Sequence, residues 1–257
     1  KRVMFDIFSA IFLGTIQGVT EFLPISSSGH LIVVREVFGM TVANSLFFDV
    51  FLHFATVLAI IVYFRKDIMS LFSFHSKSML YALLLGTIPA VIVGLLFEDV
   101  ISTTLRSPYV VVGSLFLGSL LFFFAESRAL QDKMLSLPLG IGIGFFQVLA
   151  FIPGFSRSGA TISGGLIFGL KRDEAARFSF LLGIPVMLGA VLLESVQSFD
   201  IIVSGGIGID VIVGGITAFI VGLCSIRFLM TYLKSHRLAV FAWYRIILAI
   251  LLFVYFI

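Results

Sequence analysis

Six apolar stretches, each about as long as a bilayer core is thick, constrain the fold of this chain more than any other feature. A helix needs about 20 mostly apolar residues to cross the hydrocarbon core, so each stretch predicts a membrane span. The chain is 60% hydrophobic and 12% charged, with a mean hydropathy of +1.17, which excludes an ordinary soluble domain. The stretches lack the alternation of a membrane β-strand. We therefore predict an all-α polytopic membrane protein with six transmembrane helices, at about 46–64, 79–97, 109–125, 178–193, 211–233 and 238–257.

The basic residues predict which connections lie in the cytoplasm. The net charge is +3 and the pI is near 9.1, but the Lys and Arg residues lie mostly in short clusters between apolar stretches. Such clusters are topology signals rather than a surface for nucleic acid. Connections 98–108 and 194–210 are poor in basic residues and are predicted to face outward. The connections predicted to be cytoplasmic carry Arg65, Lys66 and Lys77; Arg128 and Lys133; and Lys234 and Arg237.

Two polar, glycine-containing clusters interrupt the apolar sequence, at residues 17–30 (QGVTEFLPISSSGH) and 147–161 (QVLAFIPGFSRSGAT). A charged group near a bilayer centre costs roughly 2.5–3.5 kcal/mol or more, so Glu21, His30 and Arg157 are functional candidates. The two clusters are expected to form one site. A shift of 130 positions superimposes Gln17 on Gln147, Ser26 on Ser156, Ser28 on Ser158 and Gly29 on Gly159.

The predicted topology requires residues 138–177 to begin and end on the cytoplasmic side. The Pro, Gly and Ser residues at the centre of each cluster would break a helix, so each cluster is predicted to form a re-entrant helix pair. The chain is then one integral membrane domain, 1–257, whose halves, about 1–130 and 138–257, form an inverted-topology repeat with the site near the midplane. The alternative is that both pieces are ordinary tilted spans and that the match is coincidental.

Both clusters have the form of an anion-binding helix start. Small residues lead into an apolar helix, so free backbone N–H groups would point at a phosphate, and Arg157 adds a bidentate guanidinium. The hydroxyls of these residues could donate as well, or could bond back to the preceding turn. The predicted phosphate-binding residues are Gln17, Ser26, Ser28, Gly29, Gly154, Ser156, Ser158 and Thr161.

Gln17 and Glu21 would lie one turn apart on one helix face and could share Mg²⁺ or Ca²⁺, which take oxygen ligands. A protonated, hydrogen-bonded Glu is the alternative. His30 could act in proton transfer or attack phosphorus, or could simply cap a helix. Asp49 and His53 could line the same cavity or form a packed pair. Trp243, Tyr244 and Arg245 are typical of an interfacial anchor.

The pair Gln17-x-x-x-Glu21, residues 22–30 (FLPISSSGH) and residues 153–161 (PGFSRSGAT) closely resemble undecaprenyl-pyrophosphate phosphatases of the bacitracin-resistance type. Gln17 stands where many members have Glu. The resemblance implies an enzyme that hydrolyses undecaprenyl diphosphate to undecaprenyl phosphate and inorganic phosphate with a divalent cation. It further implies recycling of the lipid carrier for cell-wall synthesis, bacitracin resistance, and a multi-pass protein of the cytoplasmic membrane whose site opens outward.

The resulting hypothesis assigns catalysis to four residues: Glu21, Ser27, His30 and Arg157. Arg157, the helix starts and a metal near Glu21 and Gln17 neutralise the diphosphate, while Ser27 or a water attacks with help from His30. The expected partners are the polyprenyl diphosphate and membrane lipids, without nucleic acid, and the sequence leaves a homo-oligomer open. A transporter of the polyprenyl phosphate, alone or combined with the phosphatase, is the alternative, because inverted repeats with broken helices are typical of transporters.

Overall fold

The computed structural model describes residues 7–38, 45–72, 77–197 and 208–256, and every regular element in these ranges is a helix. The helices in chain order are α1 (Ile7–Thr20), α2 (Ser27–Phe38), α3 (Ser45–Tyr63), α4 (Arg65–Leu71), α5 (Lys77–Leu96), α6 (Glu98–Ser102), α7 (Pro108–Arg128), α8 (Leu137–Val148), α9 (Arg157–Ile167), α10 (Arg172–Gln197), α11 (Ile209–Tyr232) and α12 (Ala239–Phe256). Two short 3₁₀ turns, Thr104–Arg106 and Leu149–Phe151, follow α6 and α8.

The predicted spans are present as long apolar helices. Among the described residues, α5, α7, α10, α11 and α12 are each long and apolar enough to cross a membrane. The remaining predicted span corresponds to α3, which passes the same test only together with α4, from which it is separated by a bend of 74°. The prediction of an all-α polytopic membrane protein is confirmed, with five spans or, if α3 and α4 form one bent span, six.

Each polar cluster separates two short helices. Helices α1 and α8 have 14 and 12 residues, so at a rise of 1.5 Å per residue neither crosses a core of about 30 Å. Helix α2 begins at Ser27 and α9 at Arg157, which are again 130 positions apart. Both predicted breaks are therefore present. That the pairs enter the membrane and return on the same side stays a prediction.

Helices at corresponding places in the two predicted repeat halves pack in equivalent ways, and the repeat itself stays a prediction. Helix α1 packs along α11, and its counterpart α8 packs along α5. Both crossings are close because glycines meet there: a Cβ at Gly14 would overlap the Gly214 carbonyl, and a Cβ at Gly144 would overlap that of Gly86. Helices α7 and α12, the last of each half, pack against each other. The inverted orientation of the two halves stays a prediction.

Ion pairs gather several helix ends at one end of the bundle. Asp67 in α4 pairs with Arg177 near the start of α10, and Glu126 at the end of α7 pairs with Arg172. The Glu126 Oε1 also accepts a hydrogen bond of 2.7 Å from the backbone N–H of Leu238, just before α12. These contacts bring together the segments that adjoin the connections predicted to be cytoplasmic.

Candidate functional site

The two helix breaks meet at a cavity of about 360 Å³. Polar side chains from both breaks line one part of it, whereas α10 and the 3₁₀ turn after α8 supply an apolar wall. The polar lining consists of Thr20, Glu21, Ser26, Ser27, Ser28, Arg35, Asp49, His53, Gln147, Ser156, Arg157 and Glu194. The apolar lining includes Leu31, Ile32, Ile101, Ala150, Phe151, Val186, Met187, Ala190 and Val191. The cavity thus offers charged and hydroxyl groups beside an apolar surface.

Glu21 is the centre of the polar lining. It lies in the turn that follows α1, with only 8% of its surface exposed. Its Oε2 accepts a hydrogen bond of 2.6 Å from the Ser27 hydroxyl and one of 3.2 Å from the Gln17 amide nitrogen. The Nδ1 of His53 lies 3.6 Å from the same oxygen. Three side chains, from α1, the start of α2 and α3, therefore converge on one carboxylate.

Arg157 joins the second break to the first. Its Nη2 donates to the Glu21 Oε1 at 3.2 Å, and its Nη1 donates to the backbone carbonyl of Ser179 at 3.2 Å. The guanidinium lies against Gly183 in α10, where a Cβ would overlap Nη1. Because α10 holds one side of the guanidinium and Glu21 the other, its planar face and free N–H groups have a fixed direction beside the cavity.

Ser26 and Ser156, which precede the two second helices, both have a positive φ angle. Their φ angles are 77° and 75°, the left-handed region that non-glycine residues rarely adopt. The Ser26 Oγ accepts from the N–H of Gly29 at 3.3 Å, and the Ser156 Oγ accepts from the N–H of Gly159 at 3.2 Å. Both hydroxyls therefore act as helix N-caps. The remaining N–H groups of each first turn lack an intrahelical partner, as at any helix start.

Arg245 holds the two breaks together, and its predicted role as an interfacial anchor is wrong. The side chain is fully buried, and it packs over the Phe122 ring with 4.8 Å between Cζ and the centroid. Its guanidinium donates to the backbone carbonyl of Pro24 in the first break, at 3.2 Å. It also donates to the backbone carbonyls of Gly154, at 3.0 Å, and Phe155, at 2.9 Å, in the second break. Two further bonds reach the carbonyls of α7, those of Ser114 and Leu115.

His30 is not among the residues that line the cavity. Its Nδ1–H donates to the Ser26 carbonyl at 2.7 Å, and its Nε2 pairs with the Tyr244 hydroxyl at 2.8 Å. The two rings are stacked, with centroids 5.8 Å apart. Both ring nitrogens are thus engaged away from Glu21 and Arg157, and the structure does not bring His30 to the predicted catalytic group.

The other predicted binding residues divide into two sets. Ser26, Ser28 and Ser156 line the cavity, and Gln17 reaches it through Glu21. The remaining four are engaged within the protein instead. Gly29 and Gly154 donate their N–H groups to Ser26, Ser158 pairs with Ser156, and Thr161 bonds back to the Arg157 carbonyl and to the Ser179 hydroxyl.

Four further charged or titratable residues line the cavity: Arg35, Asp49, His53 and Glu194. The suggestion that Asp49 and His53 line it is confirmed by the geometry, and His53 also accepts from the Gln17 amide at 3.0 Å. Asp49 forms a bidentate pair with Arg35 of α2. Arg35 was not predicted as a site residue. It follows the apolar residues 31–34 and precedes Glu36, and charged residues in such a setting are the kind of signal that marks a functional position.

The oxygen ligands expected of a hard cation are present in part. Among the described residues no group of three His, Cys, Asp or Glu side chains could hold a metal by itself. The Gln17 Oε1, however, is buried without a hydrogen-bond partner in the described chain, next to the Glu21 carboxylate. One carboxylate and one amide oxygen suit Mg²⁺ or Ca²⁺ when substrate phosphate and water complete the shell.

Comparison with known proteins gives one consistent result. The family model of the bacitracin resistance protein BacA matches residues 10–251. The chain is 41% identical over 252 residues to an undecaprenyl-diphosphatase of Thermodesulfovibrio yellowstonii, with 97% of each chain covered. It is 38% identical to an undecaprenyl-diphosphatase of Rubrobacter xylanophilus and 40% identical to undecaprenyl-diphosphatase 3 of Acinetobacter baylyi, with 96% of this chain and 97% of each relative covered.

Proposed function

The chain belongs to the family of the bacitracin resistance protein BacA, and we propose that it hydrolyses undecaprenyl diphosphate to undecaprenyl phosphate and inorganic phosphate. Relatives that match nearly the full chain are named undecaprenyl-diphosphatases, which favours a hydrolase over a transporter. Such an enzyme recycles the lipid carrier of cell-wall synthesis and thereby confers resistance to bacitracin.

The observation that carries this proposal is the hydrogen bond of 2.6 Å from the Ser27 hydroxyl to the Glu21 carboxylate, beside Arg157. A nucleophile, a base and a cation thus share one cavity. A site built only to bind a phosphate has little use for a carboxylate that faces it, because like charges repel. The same group is suited to removing a proton from a hydroxyl that attacks phosphorus.

The substrate fits the two kinds of lining. The starts of α2 and α9 present N–H groups and the positive ends of their dipoles, and Arg157 can hold two phosphate oxygens. The apolar wall formed by Val186, Met187 and Val191 would contact the first isoprene units. We infer that the diphosphate lies between the helix starts while the polyprenyl tail leaves along α10.

In the proposed reaction, the Ser27 Oγ attacks the terminal phosphorus and Glu21 takes the hydroxyl proton. The bond between the bridging oxygen and the terminal phosphorus breaks, and undecaprenyl phosphate leaves with the electron pair. Water then attacks the phosphoserine and releases inorganic phosphate. Arg157 and the helix starts neutralise the charge that develops on the transferred phosphoryl group. Glu21 takes the role of base because His30 bonds to Ser26 and Tyr244 instead.

We propose Glu21 and Gln17 as the protein ligands of a divalent cation, Mg²⁺ or Ca²⁺. The unpartnered Gln17 Oε1 supports this assignment. When bound, such an ion would neutralise charge on the diphosphate.

The proposed location is the cytoplasmic membrane, with the cavity open to the outer side. Ile101 and Glu194, which belong to the two connections predicted to face outward, both line the cavity. The basic connections adjoin the helix ends that Arg172 and Arg177 tie together. We expect the partners to be the polyprenyl diphosphate and membrane lipids, with no nucleic acid.

The decisive experiment measures phosphate release from a polyprenyl diphosphate by the purified protein in detergent, with Glu21→Ala and Arg157→Ala as comparisons. We expect release by the wild type and its loss in both variants. Acid quenching during turnover should trap phosphate on Ser27. A folded wild-type protein that releases no phosphate would refute the hydrolase and favour transport, whereas a phosphohistidine at position 30 would refute the role of Ser27.

A further inference from the structure

Gln147 lines the cavity, and neither its amide nitrogen nor its amide oxygen has a hydrogen-bond partner in the described chain. No other side-chain amide among the described residues that line the cavity is in this state. It lies in the last turn of α8, is 1% exposed, and lines the cavity together with Ser156 and Arg157. A buried amide without partners costs about 1–3 kcal/mol relative to one that is satisfied. Burial of an amide at a cavity wall therefore points to a ligand that satisfies it.

The repeat gives Gln147 a matched comparison. Gln17 occupies the equivalent position 130 residues earlier, and its amide nitrogen is held by Glu21 four residues later. Four residues after Gln147 the chain has Phe151 instead of a carboxylate. The first copy therefore uses its glutamine to position Glu21, whereas the second copy leaves the amide of its cavity-lining glutamine without a partner in the described chain.

The chemistry around Gln147 selects an anion. It shares the cavity lining with the Arg157 guanidinium, which is positively charged, and with Ser156, which precedes the positive end of the α9 dipole. The amide N–H groups are donors, and phosphate oxygens accept such bonds strongly because they are charged.

We propose that Gln147 is a substrate-binding residue whose amide N–H groups donate to a phosphate oxygen of the diphosphate. The identity of the substrate in this inference rests on the proposed function. The affinity of Gln147 for a phosphate group does not depend on that function. Gln147 directly precedes the second break, so it would bind the diphosphate together with Arg157 of that break, whereas Ser27 and Glu21 belong to the first.

The test compares Gln147→Met, which has a similar shape and no amide, with Ser163→Ala. Ser163 is a suitable control because its hydroxyl is also buried without a partner in the described chain, while it lies outside the cavity lining. The readouts are the melting temperature of the ligand-free protein in detergent, the shift of that temperature caused by inorganic pyrophosphate, and the KM for a polyprenyl diphosphate.

We expect both variants to raise the melting temperature without ligand, since each removes an unsatisfied polar group. Only Gln147→Met should lose most of the pyrophosphate shift and raise KM at least about ten-fold, because it loses a hydrogen bond to a charged group. Gln147→Glu should bind pyrophosphate more weakly still, since it places a carboxylate beside the phosphate.

A lower melting temperature in Gln147→Met together with an unchanged pyrophosphate shift and KM would overturn the proposal and assign Gln147 a structural role. The proposed function fails separately, if the wild type releases no phosphate from the lipid. In that case, loss of the pyrophosphate shift in Gln147→Met would still support Gln147 as a phosphate ligand.

Discussion

Ser26 and Ser156, 130 positions apart, precede their helices with φ angles of 77° and 75°, and each caps the helix with its own hydroxyl. The Ser26 Oγ also accepts a hydrogen bond of 3.1 Å from the N–H of Gly154 in the other break. The two serines thus share a positive φ and the same type of cap, and a hydrogen bond joins the two breaks directly. This relationship brings the helix starts to a common cavity, where both can face one diphosphate.

Two substitutions of Ser26 separate the energetic cost of its positive φ angle from the stabilisation that its hydroxyl gives as a helix cap. Ser26→Ala and Ser26→Gly both lose the hydroxyl, but only glycine adopts a positive φ without steric cost. We expect both variants to be less stable than the wild type, and Ala to be less stable than Gly by about 1 kcal/mol. Thermal unfolding in detergent checks this order. An Ala variant as stable as the Gly variant would contradict the left-handed conformation at Ser26.

Gly118 in α7 tests the role of Arg245. A Cβ at this position would overlap the Arg245 Nη2, so Gly118→Ala should displace the guanidinium from the carbonyls of the two breaks. We expect a loss of stability of about 2 kcal/mol, because buried carbonyls lose charged donors, and reduced phosphate release. Gly113→Ala on the same helix is the control, since a Cβ there meets no atom of the described chain within 4 Å. Equal behaviour of both variants would refute the role of Arg245.

Gly183 in α10 tests the position of Arg157 without removing it. A Cβ at Gly183 would overlap the Arg157 Nη1, which can move because it ends a flexible side chain. We expect Gly183→Ala to fold and to lose about ten-fold or more in kcat/KM, since misplaced groups lose much of their effect. Gly189→Ala, where a Cβ meets nothing within 4 Å in the described chain, should keep full activity.

Arg157→Lys asks whether charge alone suffices at this position. Lysine keeps the charge but lacks the fork that bonds Glu21 and the Ser179 carbonyl at the same time. We expect most of the activity to be lost, by about ten-fold or more, in steady-state assays of phosphate release. A variant with the wild-type rate would show that a point charge is enough and that the paired hydrogen bonds of the guanidinium have no role.

Ser27 and Glu21 are expected to act as one unit. Glu21→Gln removes the base and Ser27→Ala removes the nucleophile, so each should lower kcat by about 10²-fold or more. Because either change breaks the same step, the double variant should be no slower than the worse single variant. Multiplicative losses in this double-mutant cycle would mean that the two residues act independently, contrary to the hydrogen bond of 2.6 Å between them.

The membrane class and the two breaks could be predicted from local sequence. Stretches of about 20 apolar residues predict spans because the hydrocarbon core has a set thickness. Pro, Gly and Ser within such sequence predict breaks because they interrupt the backbone hydrogen bonds of a helix. The recurrence of the same pattern after 130 positions agrees with the starts of α2 and α9, which the structure places at Ser27 and Arg157.

The partner of each polar side chain was decided only by the tertiary structure. Arg245 has the sequence context of an interfacial anchor, yet helix packing buries it between the two breaks. His30 belongs to the same motif as Ser27, but the helix turns it toward Tyr244 while Ser27 meets Glu21. The chemical groups and their spacing along the chain follow from the sequence alone. Their direction and partners depend on how distant helices pack, because the rotation of each helix is set by the surfaces that it buries.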